Sequence, residues 1–92
     1  MSDKEPLVAC IALCLIDDKF HENEKRYLED ICEEEWELST DEVEIIHNQL
    51  RDEKIENLKK KFQNFTNNVQ QNEKEYYFRL FVDLAEIDGF LH

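Results

Sequence analysis

An acidic loop is the segment whose residue types and spacing are best suited to binding a ligand. Asp17 and Asp18 follow the apolar run Leu7–Ile16, and Glu24 comes seven residues after Asp17. If one helix ends at Asp17 and the next begins near Glu24, the two carboxylates face one another across the loop. Carboxylate oxygens are the ligands that hard divalent cations bind. The alternative is a solvated loop in which Asp17 caps the following helix.

Other kinds of site find little support in the residues. The acidic loop lacks the ligand spacing and the sixth-position Gly of an EF-hand. The sequence has no Gly-rich phosphate loop and no nucleophile elbow. Cys10, Cys14 and Cys32 lie in apolar settings without a C-x-x-C motif, which favours reduced core thiols over a soft-metal site. His47 shares its helical face with apolar residues and is expected at the edge of the core. We therefore expect no enzymatic activity.

The charge of the chain restricts its partners. Asp and Glu total 23 against 11 Lys and Arg, so the formal net charge is −12. Such a chain repels nucleic acid and anionic lipid, which leaves a basic protein surface, a divalent cation or only water. The segment from Glu22 to Glu44 has eleven acids and two bases, whereas Arg51 to Lys61 has five bases and three acids. The two segments could attract one another within the fold or between copies, although two solvated helix faces are the favoured interpretation. A homodimer is left open, because Tyr76, Phe78 and Phe90 could form an aromatic contact patch.

The elements that must position the acidic loop are helices. One Gly and one Pro among 92 residues are too few for the turns of a sheet protein. Apolar spacing predicts one all-α domain over residues 1–92, with about five helices. The first helix, Leu7–Ile16, is expected to be buried, and the second runs from about Asn23 to Trp36. The third is opened by a capping box, Ser39-Thr40-Asp41-Glu42. The fourth runs from about Asp52 along an apolar seam to Val69, and the last, which is expected to be central, runs from near Asn72 to about Ile87.

The location of the chain is expected to be cytoplasmic. Its first residues, with Asp3 and Glu5, do not resemble a secretory signal. The apolar run Leu7–Ile16 has ten residues, too few to cross a bilayer, so no transmembrane segment is expected. Reduced thiols agree with this location.

The two ends of the chain resemble one another. Residues 8–21 align with residues 79–92, and the four identical pairs are Leu13 with Leu84, Ile16 with Ile87, Asp17 with Asp88 and His21 with His92. Each copy is an apolar helix that ends in Ile-Asp before a short turn. The counterpart of Glu24 would lie beyond His92, so either the chain is a fragment truncated within the second repeat or the second half is degenerate.

The run Leu15-Ile16-Asp17-Asp18-Lys19-Phe20-His21-Glu22-Asn23-Glu24 resembles the signature of TerB-like (tellurite resistance) domains. In that signature a helix ends in Ala-Asp-Gly, and a Glu opens the next helix after a short loop. Ile87-Asp88-Gly89-Phe90-Leu91 is similar to a second instance, with the Gly intact. The resemblance covers the whole chain in order. Asp18 stands in the usual Gly position of the first instance, so that loop is expected to be less tightly wound.

The resemblance implies an all-α fold of two pseudo-repeated helical hairpins and a divalent-cation site built from Asp17, Glu24 and Asp88. The cation would be calcium, magnesium or manganese. It also implies a non-enzymatic binding or scaffold module in a bacterial-type stress response. The alternative left open is an acidic interaction module that docks a basic protein partner without metal.

Overall fold

The computed structural model describes residues 3–18 and 20–87, and these ranges contain helices and no strand. The five α-helices are α1 (Glu5–Ile16), α2 (Glu22–Ile31), α3 (Asp41–Leu50), α4 (Ile55–Asn68) and α5 (Lys74–Glu86). A π-helix, Cys32–Trp36, extends α2, and a 3₁₀ turn, Gln71–Glu73, precedes α5. The predicted all-α architecture of five helices is confirmed. Within the described ranges no helix has the length and apolar character needed to cross a bilayer.

Helix α1 is the centre of the globule. It packs most extensively against α4 and also contacts α3 and α5. Its sequence is apolar on almost every side, which is typical of a helix surrounded by others. Pro6 lies in its first turn, where the missing N–H breaks no helical hydrogen bond. Ile11 is among its residues with no exposed surface.

The remaining core comes unequally from the other helices. Among their described residues, α2, α3 and α5 each bury two or three apolar side chains and α4 buries only Leu58, but α5 leaves Tyr76, Phe78 and Val82 exposed. The prediction that the last helix is central is therefore wrong. The apolar seam of α4 is real, but its aromatic residues are half-buried. They pack against aromatic rings of α5 with centroids 5.0 Å apart, tilted in the pair Phe62–Phe81 and edge-on in the pair Phe65–Tyr77.

Two helix boundaries differ from those predicted. The second helix does not continue as an α-helix to Trp36, because its last turn widens into the π-helix. That turn closes where Glu37 adopts a left-handed conformation (φ 54°) and the Leu38 amide donates to the Cys32 carbonyl at 2.9 Å. At α3, Ser39 Oγ accepts from the amide two residues on, that of Asp41, at 3.2 Å.

The predicted capping box at the start of α3 is therefore wrong in its partners. The Ser39 hydroxyl was expected to accept from the Glu42 amide, and the Glu42 carboxylate was expected to reach back to Ser39. Instead a carboxylate oxygen of Glu42 lies 3.1 Å from Lys4 Nζ, and this ion pair joins α3 to the residue that precedes α1. The side chain of Glu42 has a partner outside its own helix, which sequence spacing does not reveal.

Asp18 has the backbone conformation that favours glycine. Its φ is 56°, and its amide donates to the Leu15 carbonyl at 3.1 Å, which is one of the two hydrogen bonds of a Schellman helix end. The loop is thus wound as a Gly would wind it, although Asp stands in the Gly position. The expectation of a looser loop is wrong because Asp tolerates the left-handed region better than most residues.

We predict that Asp18→Gly raises the free energy of unfolding by about 0.5–1 kcal/mol, since Gly adopts positive φ without steric cost. Asp17→Gly is the matched control. Asp17 has φ −90°, so the same substitution there adds chain entropy to the unfolded state and is expected to destabilise by a similar amount. Urea unfolding followed by circular dichroism measures both. Equal losses in the two variants would show that the conformation of Asp18 carries no strain.

Candidate functional site

The acidic loop places its two described candidate ligands in different environments. Asp17 caps the C-terminus of α1 and is exposed, and its amide donates to the Leu13 carbonyl at 3.3 Å. Glu24 lies in the first turn of α2 and is 1% exposed. Glutamate side chains are mostly exposed, so the residue type alone predicts that Glu24 faces outward, and its burial contradicts that prediction.

Glu24 is held by the backbone that precedes its own helix. The His21 amide donates to Glu24 Oε1 at 3.0 Å, the reciprocal contact of a capping box. A capping carboxylate also interacts favourably with the positive end of the helix dipole. The geometry therefore gives Glu24 a structural role at the start of α2, whether or not it also binds a cation.

The third implied ligand, Asp88, lies outside the described residues. Within residues 3–18 and 20–87, no three His, Cys, Asp or Glu side chains are grouped as a metal site requires. The described part of the implied site thus consists of one exposed carboxylate and one buried carboxylate that already accepts a hydrogen bond. The Asp17–Glu24–Asp88 site stays a prediction.

A different set of acids converges on an open groove, here called the acidic groove. It lies between α5 and the surface formed by α2 with its π-helix, and its volume is about 470 Å³. Its lining combines two apolar residues, two tyrosines, three carboxylates, one amide and one cation: Ile31, Leu80, Tyr27, Tyr76, Glu35, Glu75, Asp83, Asn72 and Arg79.

Two tyrosine hydroxyls tie the walls of the acidic groove together. Tyr27 donates to Asp83 Oδ2 at 3.4 Å, and Tyr76 donates to Glu35 Oε1. Burial, and then the charge of Asp83, raise the pKa of Tyr27 to about 12. Burial, and then the hydrogen bond to Glu35, raise the pKa of Tyr76 above its ordinary value. Both hydroxyls therefore remain donors at neutral pH, and they fix the position of the two carboxylates.

Sequence reasoning missed this groove. Its paired residues are 56 positions apart for Tyr27 and Asp83 and 41 positions apart for Glu35 and Tyr76. No motif spacing connects them, because the contact depends on how α5 lies against α2. The one available indication was the excess of acids between Glu22 and Glu44, which includes Glu35 but not the two acids on α5.

The cysteines lie in the core, as predicted. Cys10 and Cys32 are free thiols with no exposed surface, and Cys14 is also buried. Burial is the main cause that raises the pKa of Cys10 well above its usual value, and it raises the pKa of Cys32 to about 11. Thiols of this kind are protonated and shielded, so they are poor nucleophiles.

His47 is half-buried, as expected for a residue at the edge of the core. Its ring packs against Phe20, with centroids 4.7 Å apart. Burial lowers its pKa, so the neutral imidazole is favoured in the folded protein. Through this contact the loop between α1 and α2, which contains Phe20, packs against α3.

Comparison of the chain with protein-family models, curated proteins and solved structures finds no match. The resemblance to TerB-like domains therefore rests on the loop residues themselves.

Proposed function

We propose that this protein is a non-enzymatic binding module that holds a basic segment of a partner protein in the acidic groove. The observation that carries the proposal is the convergence of Glu35, Glu75 and Asp83 on one open groove. They come from two separate elements, and tyrosine hydroxyls position two of them. Ile31 and Leu80 supply an apolar surface beneath, so the groove suits the long stems and charged ends of Lys and Arg side chains.

The charges around the groove support a cationic partner. Arg79, the single cation of the lining, makes no ion pair with any residue in the described ranges. The nearby bases of α2 are engaged elsewhere: Lys25 Nζ lies 2.6 Å from Glu44, and Arg26 lies 3.9 Å from Glu22. The π-helix that carries Glu35 also carries two further exposed acids, Glu33 and Glu34. Complementary charge of this kind increases association rate and specificity.

Fluorescence anisotropy with labelled peptides tests the proposal. One peptide carries Lys and Arg at helical spacing, and the other has Gln at those positions. We expect the basic peptide to bind at least tenfold more tightly, and the double variant Glu35→Gln with Asp83→Asn to lose about tenfold of that affinity. The amide oxygens still accept the tyrosine hydrogen bonds, so the fold is retained.

The matched control is the double variant Asp52→Asn with Glu56→Gln, which removes the same charge from exposed positions near and on α4. It should bind the basic peptide as the wild type does, apart from a small loss that disappears at 150 mM salt (about an 8 Å screening length). If both double variants lose the same affinity, the peptide responds to net charge alone and the acidic groove is not its site.

A second candidate function is the divalent-cation module that the TerB-like resemblance implies, in the setting of a cytoplasmic stress response. One observation favours it: Asp18 has the left-handed conformation that the signature obtains from Gly. The test is the thermal midpoint of the chelated protein with and without millimolar calcium, magnesium or manganese, alongside Asp17→Asn. A ligand that binds only the folded state raises the midpoint. A rise of several degrees that the variant lacks supports the site; no rise, or an equal rise, refutes it.

A further inference from the structure

A second groove lies on the other side of α5. It is an open cavity of about 590 Å³ between α4 and α5, and it is here called the apolar groove. Its walls are largely aromatic: Phe62 on one side, and Tyr77, Phe78 and Phe81 on the other. Phe78 is 69% exposed, the largest exposed fraction among the large hydrophobic side chains described. A concave aromatic surface with so exposed a ring is typical of a protein-binding site.

Most cations of the protein lie in the second half of the chain, and one of them lines this groove. Ten of the Lys and Arg residues are described; Lys4, Lys25 and Arg26 pair with Glu, and the other seven make no ion pair with a described residue. All seven lie between positions 51 and 79. Lys74 lines the apolar groove and is the one charged residue in its lining. Lys59 lies on the same face of α4 as Phe62, because residues three apart are neighbours on a helix.

We infer that the apolar groove binds an amphipathic helix of a partner protein, with apolar residues toward the aromatic walls and Asp or Glu along its flanks. Two roughly side-by-side helices with a gap between them provide the groove into which a third helix fits. Lys59 and Lys74, which make no ion pair with a described residue, would attract the acidic residues along the flanks of that helix. An anionic membrane is disfavoured, because an extended lipid surface interacts with the net charge of −12 on the whole chain, whereas a short helix contacts only the groove and its edges.

This inference is independent of the proposed function. Helix α5 separates the two grooves: Lys74, Tyr77 and Phe78 line the apolar groove, whereas Glu75, Tyr76 and Arg79 line the acidic groove. The two surfaces have opposite charge preference, so a single copy is able to bind an acidic helix and a basic segment at once.

Anisotropy with a labelled helical peptide tests the inference. The peptide has Leu at positions i, i+3, i+4 and i+7 and Glu on its flanks, and a second peptide has Lys in place of each Glu. We expect the Glu peptide to bind at least tenfold more tightly than the Lys peptide. Phe78→Ala should weaken the Glu peptide at least tenfold without changing the thermal midpoint. Ile45→Ala, an exposed apolar residue on α3, is the control and should leave its affinity unchanged.

The lysines are tested in the same assay. Lys59→Gln with Lys74→Gln should weaken the Glu peptide about tenfold. Lys60→Gln with Lys61→Gln removes equal charge, and Lys61 lines a different cavity, with Glu5 and Asn64; this pair should have a much smaller effect. Equal binding of the two peptides, or equal losses in the two double variants, would overturn the inference. So would a dimer in sedimentation velocity that Phe78→Ala dissociates, because the occupant would then be a second copy.

Discussion

Glu24→Ala lowers the free energy of unfolding by about 1–3 kcal/mol, the range expected when a helix cap is lost and its part-buried backbone amide is left without an acceptor. The reason is the hydrogen bond of 3.0 Å from the His21 amide to a carboxylate that is 1% exposed. Urea unfolding followed by circular dichroism at 222 nm measures the loss.

Three comparisons separate this structural role from a metal-binding role. Glu24→Gln keeps an oxygen that accepts the His21 amide, so it should retain most of the stability. Glu22→Ala removes an exposed acid from the same helical turn, whose ion pair with Arg26 is 3.9 Å long, and should change stability by less than about 0.5 kcal/mol. The loss in Glu24→Ala should persist in a chelator. If the chelator abolishes it, Glu24 acts through a bound cation and not through the cap.

Ile11→Ala is expected to cost about 2–5 kcal/mol, the range for truncating a buried aliphatic side chain. Ile11 has no exposed surface and lies on α1, around which three other helices pack. A domain of this size has a total stability of only about 5–15 kcal/mol, so the substitution removes a large part of the free energy of unfolding. The urea midpoint and the near-ultraviolet spectrum report this directly.

Ile45→Ala is the control, because it makes the same chemical change at a side chain that is 46% exposed. Surface substitutions of this kind are usually within about 0.5 kcal/mol of the wild type. If the two alanine variants lost equal stability, α1 would not be the centre of the core. Both variants replace a helical Ile with Ala, so the difference between their free energies of unfolding measures the effect of burial alone.

The sequence by itself determined the helices and the central place of α1. One Gly and one Pro are too few for the turns of a sheet protein, and apolar residues three and four positions apart predict each helix. The unbroken apolar run Leu7–Ile16 predicts burial on most sides of α1. The burial of the cysteines follows from the same argument, because two of the three lie on that run.

Only the tertiary structure decided which apolar residues of α4 and α5 are covered. Their periodicity is as good as that of α2, yet Phe78 is exposed and Leu80 is buried, because the position of α5 against α1 selects the covered side. The acidic groove depends on the same placement, which brings Tyr27 to Asp83. Glu24 shows the reverse case: its residue type predicts exposure, and a local hydrogen bond permits its burial. The spacing of residues along the chain specifies the apolar and polar faces of each helix, and tertiary packing determines which of these faces stay exposed to a partner.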